Sequence, residues 1–274
     1  MLRRLGPLLF FAGLGLAGTG SPAQDLPLFD VHIHYSEPTW AVYPPESALA
    51  ILDRAGVRRA LVSSTPDDGT LMLYEKAPDR IVPILRPYRT QDDIGTWTQD
   101  RSILPYLEGR LTRGIYRGIG ELHLSPGQAV SPVVRRIVTL AAQRKLVLHA
   151  HADERAVEEL LRLDPQVRVL WAHAGMSAGP ETVRRLLDAF PTLWVELALR
   201  SDVAPGDKLD PAWRAVFLRY PDRFMVGTDT WINPQWDRLP EILDGVRAWL
   251  RQLPRDVAER IAFRNAERLF GSAP

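Results

Sequence analysis

The sequence predicts an α/β protein, a (β/α)8 TIM barrel with a metal site at the C-terminal ends of its strands. Three observations carry this. Eight short apolar runs alternate with helix-patterned stretches; the first starts at residue 28 and the last at 224, a mean spacing of 28 residues. That is the count expected of eight βα units in about 250 residues. The runs are almost continuously apolar instead of alternating, as strands covered on both faces are. All six histidines fall at or just past the ends of these runs.

Residues 1–23 read as a secretory signal that is not part of the fold. Arg3 and Arg4 give a charged start, an apolar run of 13 residues follows, and Ser21-Pro22-Ala23 supplies small residues for cleavage. The run is shorter than the roughly 20 residues that span a bilayer, so no stable membrane insertion is expected after cleavage. This implies a periplasmic or secreted protein with a single barrel domain over residues 24–274.

The strands are expected at 28–34, 58–63, 81–86, 115–121, 145–149, 167–173, 193–199 and 224–229. Pro83 and Glu196 interrupt the third and seventh, which makes those two the least regular. Helices are expected at 46–55, 133–144, 154–162, 181–190, 211–220, 239–250 and 256–270, where apolar residues recur at helical spacing with charges between them. Gly56 and Gly271 follow the first and last of these, a favoured residue just past a helix end. An open doubly wound sheet would usually carry a glycine-rich loop after its first strand. Here the first run ends in His32-Ile33-His34.

Composition narrows the function. The absence of cysteine removes disulfides, thiolate metal sites and cysteine nucleophiles. Thirty-four basic against 33 acidic residues leave a net charge of +1, so nucleic acid is not an expected partner and a small-molecule substrate is.

His32 and His34 are two apart, so on a strand both point to one side and form a two-imidazole clamp for a first-row metal. Asp30 precedes them. Further ligands must come from other strand ends: His149 closes the fifth, His173 the sixth, and Asp229 the eighth. His151 competes with His149, which is preferred because it terminates the apolar run. Glu121 and His123 share one side of the fourth strand. They can be ligands of a second metal, partners behind the first, or substrate contacts. Arg86 and Arg200 follow the third and seventh strands and could pair with a substrate carboxylate. Tyr35, Trp40 and Trp231 stand where they could line an apolar pocket.

Phe29-Asp30-Val31-His32-Ile33-His34 resembles the first-strand signature of the amidohydrolase superfamily. Gly118-Ile119-Gly120-Glu121, Leu148-His149, Trp171-Ala172-His173-Ala174-Gly175 and Val226-Gly227-Thr228-Asp229-Thr230 follow in the matching order. The tail Asn265-Ala266-Glu267-Arg268-Leu269-Phe270-Gly271 is similar to the closing helix of the amidohydrolase-2 (amidohydrolase-related) branch. The resemblance implies a divalent metal held by His32, His34, His149 and Asp229, with His173 beside it. One zinc is favoured, with manganese or iron as alternatives. None of the three lysines sits where binuclear members carry a carboxylated lysine, and Glu121 occupies that strand end. The resemblance further implies hydrolysis of an amide, ester or lactone bond, with Asp229 taking the water proton and His173 orienting water or oxyanion. Non-oxidative decarboxylation at the same metal, or a barrel that binds without turnover, are the alternatives.

Overall fold

The computed structural model describes residues 26–271, so the reading of residues 1–23 as a signal lies outside the described residues. Eight parallel strands run in sequence order, β1 Leu28–His34, β2 Val57–Ser63, β3 Ile81–Leu85, β4 Gly118–Leu124, β5 Val147–Ala152, β6 Arg168–Trp171, β7 Leu193–Glu196 and β8 Phe224–Met225. Each pairs with the next. The ring closes where Val31 N donates to Val226 O at 2.9 Å and His34 N donates to Thr230 O at 2.8 Å. The result is the expected (β/α)8 barrel, and each predicted strand overlaps an observed one.

Side chains divide into two packed layers. Phe29, Val31, Leu61, Ile84, Val147, Leu170 and Met225 fill the barrel with the last helical segment beneath them. The larger cluster lies between the strands and the outer helices. In β1 the register shifts between Asp30 and Ile33. Phe29 and Val31 belong to the interior, whereas Ile33 joins the outer cluster, so facing parity changes across the shift. Irregularities of this kind re-aim side chains next to active sites. Here the change turns His32 and His34 inward above the interior layer.

Two helices that the sequence did not announce follow β2 and β3, at Asp68–Lys76 and Ile103–Leu111. Gly69 weakens the pattern of the first, Pro105 and Gly109 that of the second. The closing helix is not continuous: a π turn over Arg260–Arg264 separates Arg255–Glu259 from Asn265–Phe270. After the turn the Asn265 amide donates to Pro221 O (2.8 Å) and Phe224 O (2.9 Å), tying the helix to the start of β8. Among the described residues, no helix is long and apolar enough to cross a membrane.

Candidate active site

The strand ends bring four donors to one point. His32 Nε2 and His34 Nε2 are 3.1 Å apart. Asp229 Oδ1 lies 3.3 Å from each. Glu121 places Oε1 at 3.5 Å from His32 Nε2 and Oε2 at 3.1 Å from His34 Nε2. All four residues are buried, with one ligand atom from each within 4.8 Å of the others. Glu121, which sequence reasoning set among outer partners or a second metal, therefore stands inside the first cluster.

Hydrogen bonds behind the cluster set the ring tautomers. His34 Nδ1 faces Ser63 O at 3.0 Å, and a carbonyl oxygen only accepts. Nδ1 of His34 therefore carries the proton and Nε2 presents a lone pair. His173 Nδ1 faces Ala198 O at 3.2 Å in the same way. His32 Nδ1 faces Glu196 Oε1 at 2.9 Å. Burial opposes a charge on His32, but Asp229, Glu121 and Glu196 outweigh it and hold its pKa well above the usual value. Burial would raise Glu196, yet the neighbouring His173 and His32 bring it down to about 2. Burial is outweighed likewise at Glu121, well below the carboxylate range beside His32, and at Asp229, lowered by His32 and His34. Three buried carboxylates thus surround imidazoles, an arrangement a divalent cation would neutralise.

Two further observations fit a metal. Among the described residues, His173 Nε2 is buried without a hydrogen-bond partner, and both ring nitrogens of His149 are in the same condition. Buried polar nitrogens normally have partners. The His149 ring lies 4.4 Å from that of His32, while His173 Nε2 faces Glu121 Oε1 at 3.5 Å and Asp229 Oδ2 at 3.8 Å. Such a donor set, imidazole and carboxylate together, suits zinc and other first-row metals. His149 stands at the edge of the cluster: the tight group of four has Glu121 in the place expected for His149.

The backbone that carries these groups is shaped for them. The Asp30 carboxylate accepts from His32 N (3.0 Å), Thr228 N (3.1 Å) and Thr228 Oγ1 (2.6 Å), locking β1 to the segment bearing Asp229. Burial pushes Asp30 up to about 7. His173 and Asp229 both have positive φ, 56° and 51°, unusual for side chains of this size and found at functional sites. Gly227 permits a close approach: a Cβ there would stand 2.4 Å from Glu196 Oε2 and 3.0 Å from His32 Cβ.

Glu196 is not among the expected site residues, although a carboxylate interrupting an apolar run was the available signal. It also accepts from His173 N (2.7 Å) and Ala198 N (2.6 Å). Replacing it by glutamine is expected to weaken metal binding about 10–100-fold, because the acceptor that orients His32 loses its charge. Competition against a chelator measures this, and unchanged affinity would show that Glu196 has no such role.

A cleft of about 740 Å³ opens over these donors, with Arg86, His123, His151, Asp229 and Trp231 in its wall. His151 Nδ1 reaches Glu121 Oε1 at 2.9 Å. A cavity of about 870 Å³ at the opposite end of the barrel, lined by Arg59, Arg117, Lys145 and Arg168, holds none of the six histidines. Three expected pocket residues, Tyr35, Trp40 and Arg200, lie outside the wall of the cleft over the donors. Tyr35 is fully buried, donates to Tyr43 O at 2.7 Å and packs on Trp40 and Trp236. Arg200 spends its guanidinium on protein oxygens: His173 O and Ala174 O at 3.1 Å, Ala178 O at 2.8 Å and both oxygens of Asp202 at 2.7 Å. It braces the loop after β6, and a substrate carboxylate would have to displace those bonds.

The family described as Amidohydrolase matches residues 107–272, more than half of the chain. None of the curated proteins matches it. Among solved structures, one from Pseudomonas putida named for 2-pyrone-4,6-dicarboxylic acid hydrolase has a TM-score of 0.62 at 17% identity, covering 90% of this chain and 98% of that one. A TatD homolog of Escherichia coli gives 0.59 at 18% identity, covering 89% and 97%. Amidohydrolase 2 of Bifidobacterium longum subsp. infantis gives 0.56 at 16%, covering 90% and 99%. At these identities the likeness shows the barrel fold.

Proposed function

Since the chain belongs to the amidohydrolase family, we propose that it hydrolyses an amide, ester or lactone bond of a small molecule. The observation that carries this reading is the four-donor cluster with a carboxylate oxygen left over: Asp229 Oδ1 faces the histidines at 3.3 Å, and Oδ2 is turned to His173. A divalent cation, with one zinc the simplest choice, would be held by His32, His34, Asp229 and Glu121, and His149 is the further candidate. When bound, it supplies Lewis acidity that polarises a carbonyl and lowers the pKa of water to about 7.

Asp229 is kept ionised by His32 and His34 despite its burial, so Oδ2 can accept the proton of an attacking water. The same oxygen returns that proton to the departing oxygen or nitrogen. His173 Nε2 lies beside it with no partner and orients the water or meets the developing oxyanion. The reading of residues 1–23 as an export signal belongs to the same proposal and places the enzyme in the periplasm or outside the cell.

Decarboxylation at the same donors is the second reading, favoured by Arg86, which offers a guanidinium to a substrate carboxylate beside Glu121. Product analysis on metal-loaded protein separates the two. Hydrolysis adds one water to the substrate and releases no CO₂. Release of CO₂ without added water would replace the hydrolase by a decarboxylase.

A further inference from the structure

Arg86 is a buried cation with too few partners. It directly follows β3, is 6% exposed and forms part of the cleft wall. The guanidinium lies over the Tyr88 ring, 4.8 Å from its centroid. Of its five N–H donors, one on Nη2 reaches Glu121 Oε2 at 3.3 Å and one on Nη1 reaches Thr65 Oγ1 at 3.4 Å. Both exceed the roughly 2.7–2.9 Å of a good charge-assisted bond. The Nε is buried with no partner among the described residues. Arg200, 8% exposed, shows the contrast, since its Nε and both terminal nitrogens have acceptors within 3.1 Å. Buried charges are usually paired and fully hydrogen-bonded, so this half-paired fork lacks an acceptor among the described residues.

The next group along the cleft is a donor too. The Tyr88 hydroxyl accepts from His123 N at 2.8 Å and lies 2.9 Å from His123 Nδ1. Tyr88 is fully buried, and among the described residues its hydroxyl has no other acceptor. Its proton therefore goes to Nδ1, and the ring's own proton sits on Nε2. That Nε2 lies 3.8 Å from Glu121 Oε2, the same oxygen that Arg86 approaches. Two donors thus flank one carboxylate oxygen at the cleft floor. Above them the wall is apolar, with Ile94, Leu199, Trp231 and Ile232. Leu199 and Trp231 are more than half exposed, at 52% and 55%.

We propose that the cleft takes a substrate with a carboxylate and an apolar body. The carboxylate sits in the fork of Arg86 beside the His123 Nε2–H, and the body lies against Leu199, Trp231 and Ile232. This rests on the functional reading for its location, since it names the substrate class of the same site. The planar fork matches a carboxylate bidentately, which a lysine in its place would not do. The charged group then lies next to Glu121, close to the bond that reacts.

Benzoate and its uncharged isostere benzamide are the probes, titrated calorimetrically into the metal-loaded protein with metal content measured alongside. Wild type is expected to bind benzoate at least about tenfold more tightly than benzamide, the scale of one hydrogen bond to a charged group. Arg86→Gln should abolish that preference without changing metal content, and Arg86→Lys should restore part of it. Trp231→Ala should weaken both probes alike. A preference that survives Arg86→Gln would mean that benzoate binds the metal, and overturns the subsite. Loss of metal together with the preference would make Arg86 a support for Glu121, and also overturns it. Absence of any preference in wild type does the same. A benzoate preference in a protein that turns over no ester, lactone or amide would leave the subsite standing and remove the hydrolase reading. Turnover without the preference would do the reverse.

Discussion

The His32→Ala/His34→Ala protein is expected to retain less than about a tenth of the wild-type metal and to lose at least about 10³-fold in kcat/KM, because uncoordinated water has a pKa near 15.7 instead of about 7. The two rings supply half of the four-donor cluster and share one strand. Ser63 and Glu196 hold their Nδ1 atoms on the far side, so each ring has one nitrogen to offer and no second orientation. Removing both leaves Glu121 and Asp229 facing each other. Like charges in a buried site raise one pKa, and a protonated carboxyl is a poor ligand. Elemental analysis of the two proteins decides the matter, with circular dichroism to confirm that the variant is folded. Equal metal content in both would refute the clamp. A His34→Gln protein, which keeps the volume, gives the same test with less disturbance of the interior.

The barrel was legible because its strands are buried on both faces, so each run is apolar at most positions and needs no parity to be recognised. Side-chain direction is a different kind of information. The spacing of His32 and His34 puts both on one side, and their Nε2 atoms lie 3.1 Å apart, but the irregularity between Asp30 and Ile33 has no sequence signature. Without it, Asp30 would be read as one more group on the same side; in the structure its carboxylate is committed to Thr228 and the His32 amide. The histidines at strand ends were visible as positions. Which of them converge depends on positive φ at His173 and on the close approach allowed by Gly227, and neither follows from residue type. The arginines show the same limit. Arg86 and Arg200 both follow apolar runs in the sequence, and their acceptors separate a cleft cation from a loop brace.

Asp229→Asn is expected to lower kcat by about 10²–10⁴-fold, the usual contribution of a positioned proton acceptor. The substitution keeps the shape and leaves one oxygen for a metal, but an amide cannot take the proton of water. Asp229 has two tasks divided between its oxygens, since Oδ1 faces His32 and His34 while Oδ2 faces His173. Metal content separates the tasks. If metal stays near the wild-type level while kcat falls, the proton task is the one removed. If metal and activity fall in parallel, Asp229 acts only as a ligand and the proton must move elsewhere. The neighbouring candidate is then His173, whose Nε2 lies 3.8 Å from Oδ2 and has no hydrogen-bond partner among the described residues. Retention of more than about a tenth of wild-type kcat by the asparagine variant would exclude Asp229 from both roles, because neither a lost ligand nor a lost base costs so little at a buried centre.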